Sequence, residues 1–174
     1  KSAPSREAVW LYLPTSDCQI KRMLWRDGVE SKDFAKLEIQ INNLPAAVET
    51  ACALEQESVF DLNAMCAAIS KLAQTDRAKL DAVIIFANPE SAAEIRRLAE
   101  NLDLFDFVPN IHTPEEYGRY MIQDSGHFDY DDNLDEFYDY EKYGRQHVEQ
   151  EEGVFTEQGY LSYQGTLSLE GLLQ

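Results

Sequence analysis

The sequence predicts an α+β protein with a small N-terminal α+β unit (residues 1–44), a central helical bundle (45–101) and an acidic C-terminal α+β domain (102–174). Three observations carry that prediction. Short apolar runs with strand character occur near both ends of the chain. Helical spacing of apolar residues dominates the middle. A turn, Glu157-Gln158-Gly159, joins Val154-Phe155-Thr156 to Tyr160-Leu161-Ser162-Tyr163 as a β-hairpin. A chain of 174 residues buries roughly 70% of its unfolded surface, so it needs no disulfide or structural metal to fold.

Taken in order, Val9, Leu11 and Leu13 alternate with Trp10 and Tyr12 in a strand that Pro14 ends. Thr15 or Ser16 caps a helix through Arg26, with Gly28 just past its end. Leu37, Ile39 and Ile41 alternate with Glu38 and Gln40 as a half-buried strand. The central region reads as helices 45–55, 60–73, 76–87 and 91–100. Thr75 caps the third, and Ser91 with Glu94 forms a capping box on the fourth. Leu62, Met65, Cys66, Ile69 and Leu72 fall at helical spacing and read as bundle core. Leu104 to Pro109 is a strand-like run. Thr113-Pro114-Glu115-Glu116 then starts a helix with cap, N1 proline and capping-box Glu in register, and this helix stops at Gly126. A further helix is expected from about Asn133 to Tyr143, stopping at Gly144.

Charge narrows the function classes. The chain carries 32 Asp and Glu against 15 Lys and Arg, a net charge of −17. Residues 101–174 hold 17 acidic and three basic side chains (Arg119, Lys142, Arg145), whereas the first 44 residues hold six acidic and seven basic ones. Direct nucleic-acid binding is excluded on this balance, because a duplex carries one negative charge per roughly 1.7 Å. Anionic membrane surfaces are excluded for the same reason. No run approaches the roughly 20 apolar residues needed to span a bilayer. Lys1 to Glu7 has no apolar signal-peptide core, and since the chain does not begin with Met an address upstream is left open. Three cysteines without a CxxC pair point to a reducing cytoplasm. Segregated charge favours a partner of opposite sign over a general solubility role.

The informative run is Phe128 to Glu141, where Asp129, Asp131, Asp132, Asp135, Glu136, Asp139 and Glu141 interleave with aromatics. On a helix, Asp132, Asp135, Glu136 and Asp139 would share one face opposite a mostly apolar one. Like charges at i,i+4 cost roughly 0.2–0.5 kcal/mol per pair, and no lysine relieves them before Lys142. Calcium-loop spacing fails: a loop starting at Asp129 needs Gly and Glu where Leu134 and Tyr140 stand. His112, His127 and His147 lack metal-ligand spacing, and no P-loop, GxGxxG or GxSxG occurs. The sequence therefore offers no catalytic residues, no metal site and no cofactor. A rigid array of carboxylates can instead occupy the groove of a protein that reads phosphates. Fourteen net charges correspond to roughly 24 Å of duplex, about seven base pairs.

Several stretches carry a family resemblance. They are Glu115-Glu116-Tyr117-Gly118-Arg119-Tyr120, Leu134 to Tyr138, Tyr143-Gly144-Arg145 and Gly153-Val154-Phe155-Thr156-Glu157-Gln158-Gly159-Tyr160. Together they resemble the ArdA family of antirestriction proteins. Trp10-Leu11-Tyr12-Leu13-Pro14 and its following helix look like that family's first domain, and Asp61-Leu62-Asn63 leading into Leu72-Ala73 resembles its central region. The resemblance implies an elongated three-part homodimer that mimics bent B-form DNA. It also implies inhibition of type I restriction–modification enzymes at the DNA site of the methyltransferase and specificity core, and carriage by conjugative elements. By position, Asp124, Asp129, Asp131, Asp132, Asp135, Glu136, Asp139 and Glu141 become the candidate phosphate mimics, while Tyr143, Gly144 and Arg145 shape the domain. Two other classes compete with this expectation: an interaction module for another basic protein, and a metal-dependent hydrolase using acidic residues, the weaker of the two.

Overall fold

The computed structural model describes residues 9–174, so the first eight residues of the 1–44 unit lie outside the described residues. The first helix, α1 (Asp17–Arg26), begins where Ser16 caps it, its hydroxyl accepting from the Gln19 amide, and Gly28 follows its end at φ +80°. Ile20 and Leu24 bury one face of α1 against Val59, with Leu11, Leu13, Val29, Phe34, Leu37 and Ile39 packed around them.

Among the described residues neither Val9–Leu13 nor Leu37–Ile41 is a strand. Burial does alternate along both, with Leu11, Leu13, Leu37 and Ile39 turned inward and Trp10, Tyr12, Glu38 and Gln40 exposed. The period-2 pattern thus dictated which side chains face the core. A strand also needs a neighbouring edge to pair with, and neither segment acquires one among the described residues. A 3-10 helix at Ser31–Lys36 lies between them instead.

The central helices are α2 (Ala46–Ala51), α3 (Val59–Ser70), α4 (Asp76–Ala87) and α5 (Ala92–Glu100). The first is shorter than expected because the backbone turns extended at Cys52, after which a separate 3-10 turn runs over Leu54–Gln56. Ser58 caps α3, and Ser91 caps α5 by accepting from the Glu94 amide. Thr75 makes no side-chain cap on α4, since it already adopts helical angles. Leu62, Met65 and Ile69 are buried as the stripe predicted, with Cys66 and Leu72 packed at their margin.

Asn63 joins the N-terminal unit to α3. It is 6% exposed and its amide treats Thr15 as a paired backbone, accepting from the Thr15 N–H at 2.8 Å and donating to the Thr15 carbonyl at 2.8 Å. A second bond from the same amide nitrogen reaches Asp17 at 3.1 Å.

The sheet has three antiparallel strands in the order β1 (Phe105–Pro109), β3 (Gly159–Tyr163), β2 (Val154–Phe155) among the described residues. The hairpin is the expected one; the long-range pairing of Phe107 with Leu161 places β3 at the centre. Leu161 and Tyr163 face the core built by α2 to α5, together with Phe105. Tyr160 faces the other way and stacks on Tyr117 at 4.0 Å. The sheet therefore separates the central helices from a second pair, α6 (Pro114–Arg119) and α7 (Tyr140–Glu151). A last helix, α8 (Leu169–Leu173), lays Leu169, Leu172 and Leu173 on the main core.

The helix expected at 133–143 is not there. Asp132–Phe137 forms a 3-10 helix, the chain opens at Tyr138, and α7 starts only after Asp139. Asp139 supplies its capping oxygen to the Lys142 amide at 3.0 Å, so this acid ends one element and begins the next. Gly144 does not stop a helix: it lies within α7, at the crossing with Gly118 of α6. A Cβ on Gly144 would run into the Pro114 carbonyl, and one on Gly118 into the Tyr140 carbonyl. Only two glycines allow this backbone-to-backbone approach. After Arg119, α6 continues as a π-turn over Tyr120–Asp124 and ends near Gly126 (φ +73°), as expected.

Two outcomes follow. Gly144→Ala should lower the unfolding free energy by about 3 kcal/mol, the upper range for overpacking, as read from urea denaturation. Asn63→Leu strips partners from the Thr15 N–H and carbonyl and should cost roughly 1–3 kcal/mol in the same experiment.

Candidate functional site: the acidic C-terminal surface

The close crossing of α6 and α7 brings the π-turn, the loop after it and the 3-10 helix around one carboxylate, that of Asp135. Its Oδ1 accepts from Tyr130 Oη at 2.8 Å, from Gln123 Nε2 at 3.0 Å and from Tyr140 Oη. The Gln123 amide also lies within hydrogen-bond distance of both phenols, at 3.1 Å from Tyr130 and 2.9 Å from Tyr140. The Arg119 guanidinium sits 3.9 Å from Asp135 and 4.3 Å above the Tyr140 ring. The hydrogen bonds from Tyr140 and Tyr130 hold the Asp135 carboxyl below its ordinary range. The same contacts push both phenols up, through hydrogen bonding to Asp135 first at Tyr130 and through desolvation first at Tyr140.

The other seven candidates are exposed, but they are not equivalent. Asp131 caps the 3-10 helix through the Asn133 amide at 2.9 Å, and Asp139 caps α7. Glu141 is paired with Arg145 one turn on. Asp124, Asp129, Asp132 and Glu136 have no hydrogen bond or ion pair among the described residues and project free carboxylates. The helical face of Asp132, Asp135, Glu136 and Asp139 therefore does not exist as one face. Its members divide into free carboxylates, one cap and one half-exposed hydrogen-bond acceptor. The reason is local: Asp131 and Asp139 each satisfy backbone amides better as caps than as members of one long like-charged helix.

A second carboxylate centre lies deeper. Glu151 Oε2 accepts from Tyr117 Oη at 2.9 Å and Tyr160 Oη at 2.7 Å, tying α6, α7 and β3 together. Burial, then the Glu151 bond, raises both phenols well above the ordinary tyrosine range. Nothing in the periodicity pointed to Gln123, Tyr130, Tyr140 or Glu151. The available signal was that tyrosines, which carry a donor, interleave with these acids more than phenylalanines do.

Among the described residues, no three His, Cys, Asp or Glu side chains converge in a metal-binding arrangement. Burial raises the Cys66 thiol, and burial with Glu57 and Glu94 raises that of Cys52, so neither is primed as a nucleophile. No described helix is long and apolar enough to cross a membrane.

Because the Asp135 carboxyl is depressed in the folded protein, its contribution is complete above the unfolded value of about 3.9 and disappears as pH falls through the lower folded value. The ring resonances of Tyr130 and Tyr140 should accordingly titrate together, below the ordinary carboxylate range. Asp135→Asn should abolish that titration and increase amide exchange across 131–139.

No curated protein matches the chain. The family model described as antirestriction protein (ArdA) matches residues 5–162, spanning the N-terminal unit, the central helices, the whole acidic segment and nearly all of the sheet. The chain therefore belongs to the ArdA family of antirestriction proteins.

Proposed function

We propose that this protein is a non-enzymatic DNA mimic that blocks type I restriction–modification enzymes by occupying the DNA site of their methyltransferase and specificity core. The carrying observation is the set of exposed, unpaired carboxylates of Asp124, Asp129, Asp132 and Glu136 within a region of net charge −14. Asp131, Asp139 and Glu141 add charge while holding local structure. Asp135, half-exposed, positions the rest through the hydrogen bonds it accepts. Exposed Asp103, Asp106, Glu115, Glu116, Glu149, Glu152 and Glu157 extend the same field.

The proposal includes the elongated division at residues 44 and 101, a homodimer that lengthens the imitated tract, a cytoplasmic place of action and carriage by conjugative elements. No bond is made or broken. Inhibition is mass action for a groove that reads phosphates.

The test is competition. A type I methyltransferase is bound to labelled target duplex and the protein is titrated in at two salt concentrations. Displacement that weakens with salt is expected. Failure to displace at large excess overturns the mimic reading and favours an acidic interaction module for another basic protein. Replacing Asp124, Asp129 and Asp132 by Asn and Glu136 by Gln should raise the half-displacement concentration by about tenfold or more and flatten its salt dependence. The circular dichroism spectrum should not change, because none of the four side chains makes a hydrogen bond or ion pair among the described residues.

A further inference from the structure

The 3-10 helix at Asp132–Phe137 leaves its apolar edge uncovered. With three residues per turn, its side chains eclipse at i and i+3, giving an Asp132/Asp135 edge, an Asn133/Glu136 edge and a Leu134/Phe137 edge. An amphipathic element on a protein surface ordinarily buries its apolar edge. Here Asp135, with its side chain 43% exposed, is held by hydrogen bonds from Tyr130, Tyr140 and Gln123, while Phe137 is 80% and Leu134 47% exposed. The hydrogen bonds to Asp135 and the Asp131 cap fix this orientation, so the outward apolar edge is built rather than frayed. Exposed apolar residues held side by side are the informative exception on a protein surface.

We propose that Leu134 and Phe137 are apolar anchors that dock on the same basic DNA-reading protein that the surrounding carboxylates attract. This rests on the function proposed above. Charge complementarity chooses the occupant. Asp131, Asp132, Glu136 and Asp139 are exposed around the edge, and no lysine or arginine occurs between Asp124 and Glu141. Two copies of this edge facing each other would oppose carboxylate to carboxylate. A basic groove neutralises them. A DNA duplex offers such a groove almost no apolar surface beyond thymine methyls. The edge therefore gives the inhibitor a salt-insensitive component of binding that DNA lacks, in the manner of a central anchor ringed by polar contacts.

The experiment is the methyltransferase competition with the Leu134→Ala/Phe137→Ala double variant, repeated across a salt series, beside sedimentation of wild type and variant. The variant should keep its melting temperature, because both side chains are exposed. Its half-displacement concentration should rise roughly tenfold at every salt concentration, with an unchanged salt slope, since no charge is removed. Equal displacement by variant and wild type overturns the anchors and leaves the mimic reading standing. A wild-type dimer that the variant dissociates assigns the edge to a second copy and also overturns them. Wild type that displaces no DNA removes the mimic reading itself, and the anchors with it.

Discussion

The acidic surface depends on the contact between Gly118 and Gly144. Two backbones meet there without side chains between them, which sets the spacing of α6 and α7. Much of the polar site is hung on those two helices: Arg119 and the π-turn with Gln123 on one, Tyr140, Glu151 and the cap Asp139 on the other. A hydrogen bond is worth making only near 3 Å, so a shift of one methyl group at the crossing would separate the donors from Asp135 and from Glu151 together. The two carboxylate centres are thus consequences of a steric fact, and the free carboxylates farther out inherit their positions from it.

Much of this was legible in the sequence. The caps at Ser16, Ser91 and Thr113, the Gly126 stop and the 154–163 hairpin each rest on a local rule, and each is present. What was illegible required partners distant in sequence. Leu11 and Ile39 show the strand period but lack an edge to pair with, and period reports only the direction of a side chain. Gly144 has the composition of a helix stop, yet its role is decided by Gly118, 26 residues earlier. The acidic segment deceived most, because charge repulsion and capping compete within it. A face drawn on a helical wheel assumes the helix, while Asp131 and Asp139 act to divide it.

The arrangement of acids also explains how a chain of net charge −17 remains folded. Self-repulsion opposes folding, but carboxylates that accept hydrogen bonds from phenols or cap amides become part of the scaffold. Asp135 and Glu151 each gather two tyrosines, so two of the 17 C-terminal acids serve as centres of packing. The repulsion that remains is carried by side chains at the surface, where water and salt screen it.

That division gives physical content to an acidic interface. A surface that only needed solubility would mix its signs and bury its phenylalanines. Here the 3-10 helix satisfies Asp135 with hydrogen bonds and leaves Phe137 uncovered, against its own amphipathic preference. Sequences are usually consistent from local pattern to global packing, and departures concentrate where function is placed. This arrangement has a compensation visible in the fold, namely the hydrogen bonds that converge on Asp135. It has no compensation on the outside until something covers the apolar edge. Three side-chain donors from three separate segments of chain stabilise this arrangement, and that support is what the proposed docking on a basic partner requires.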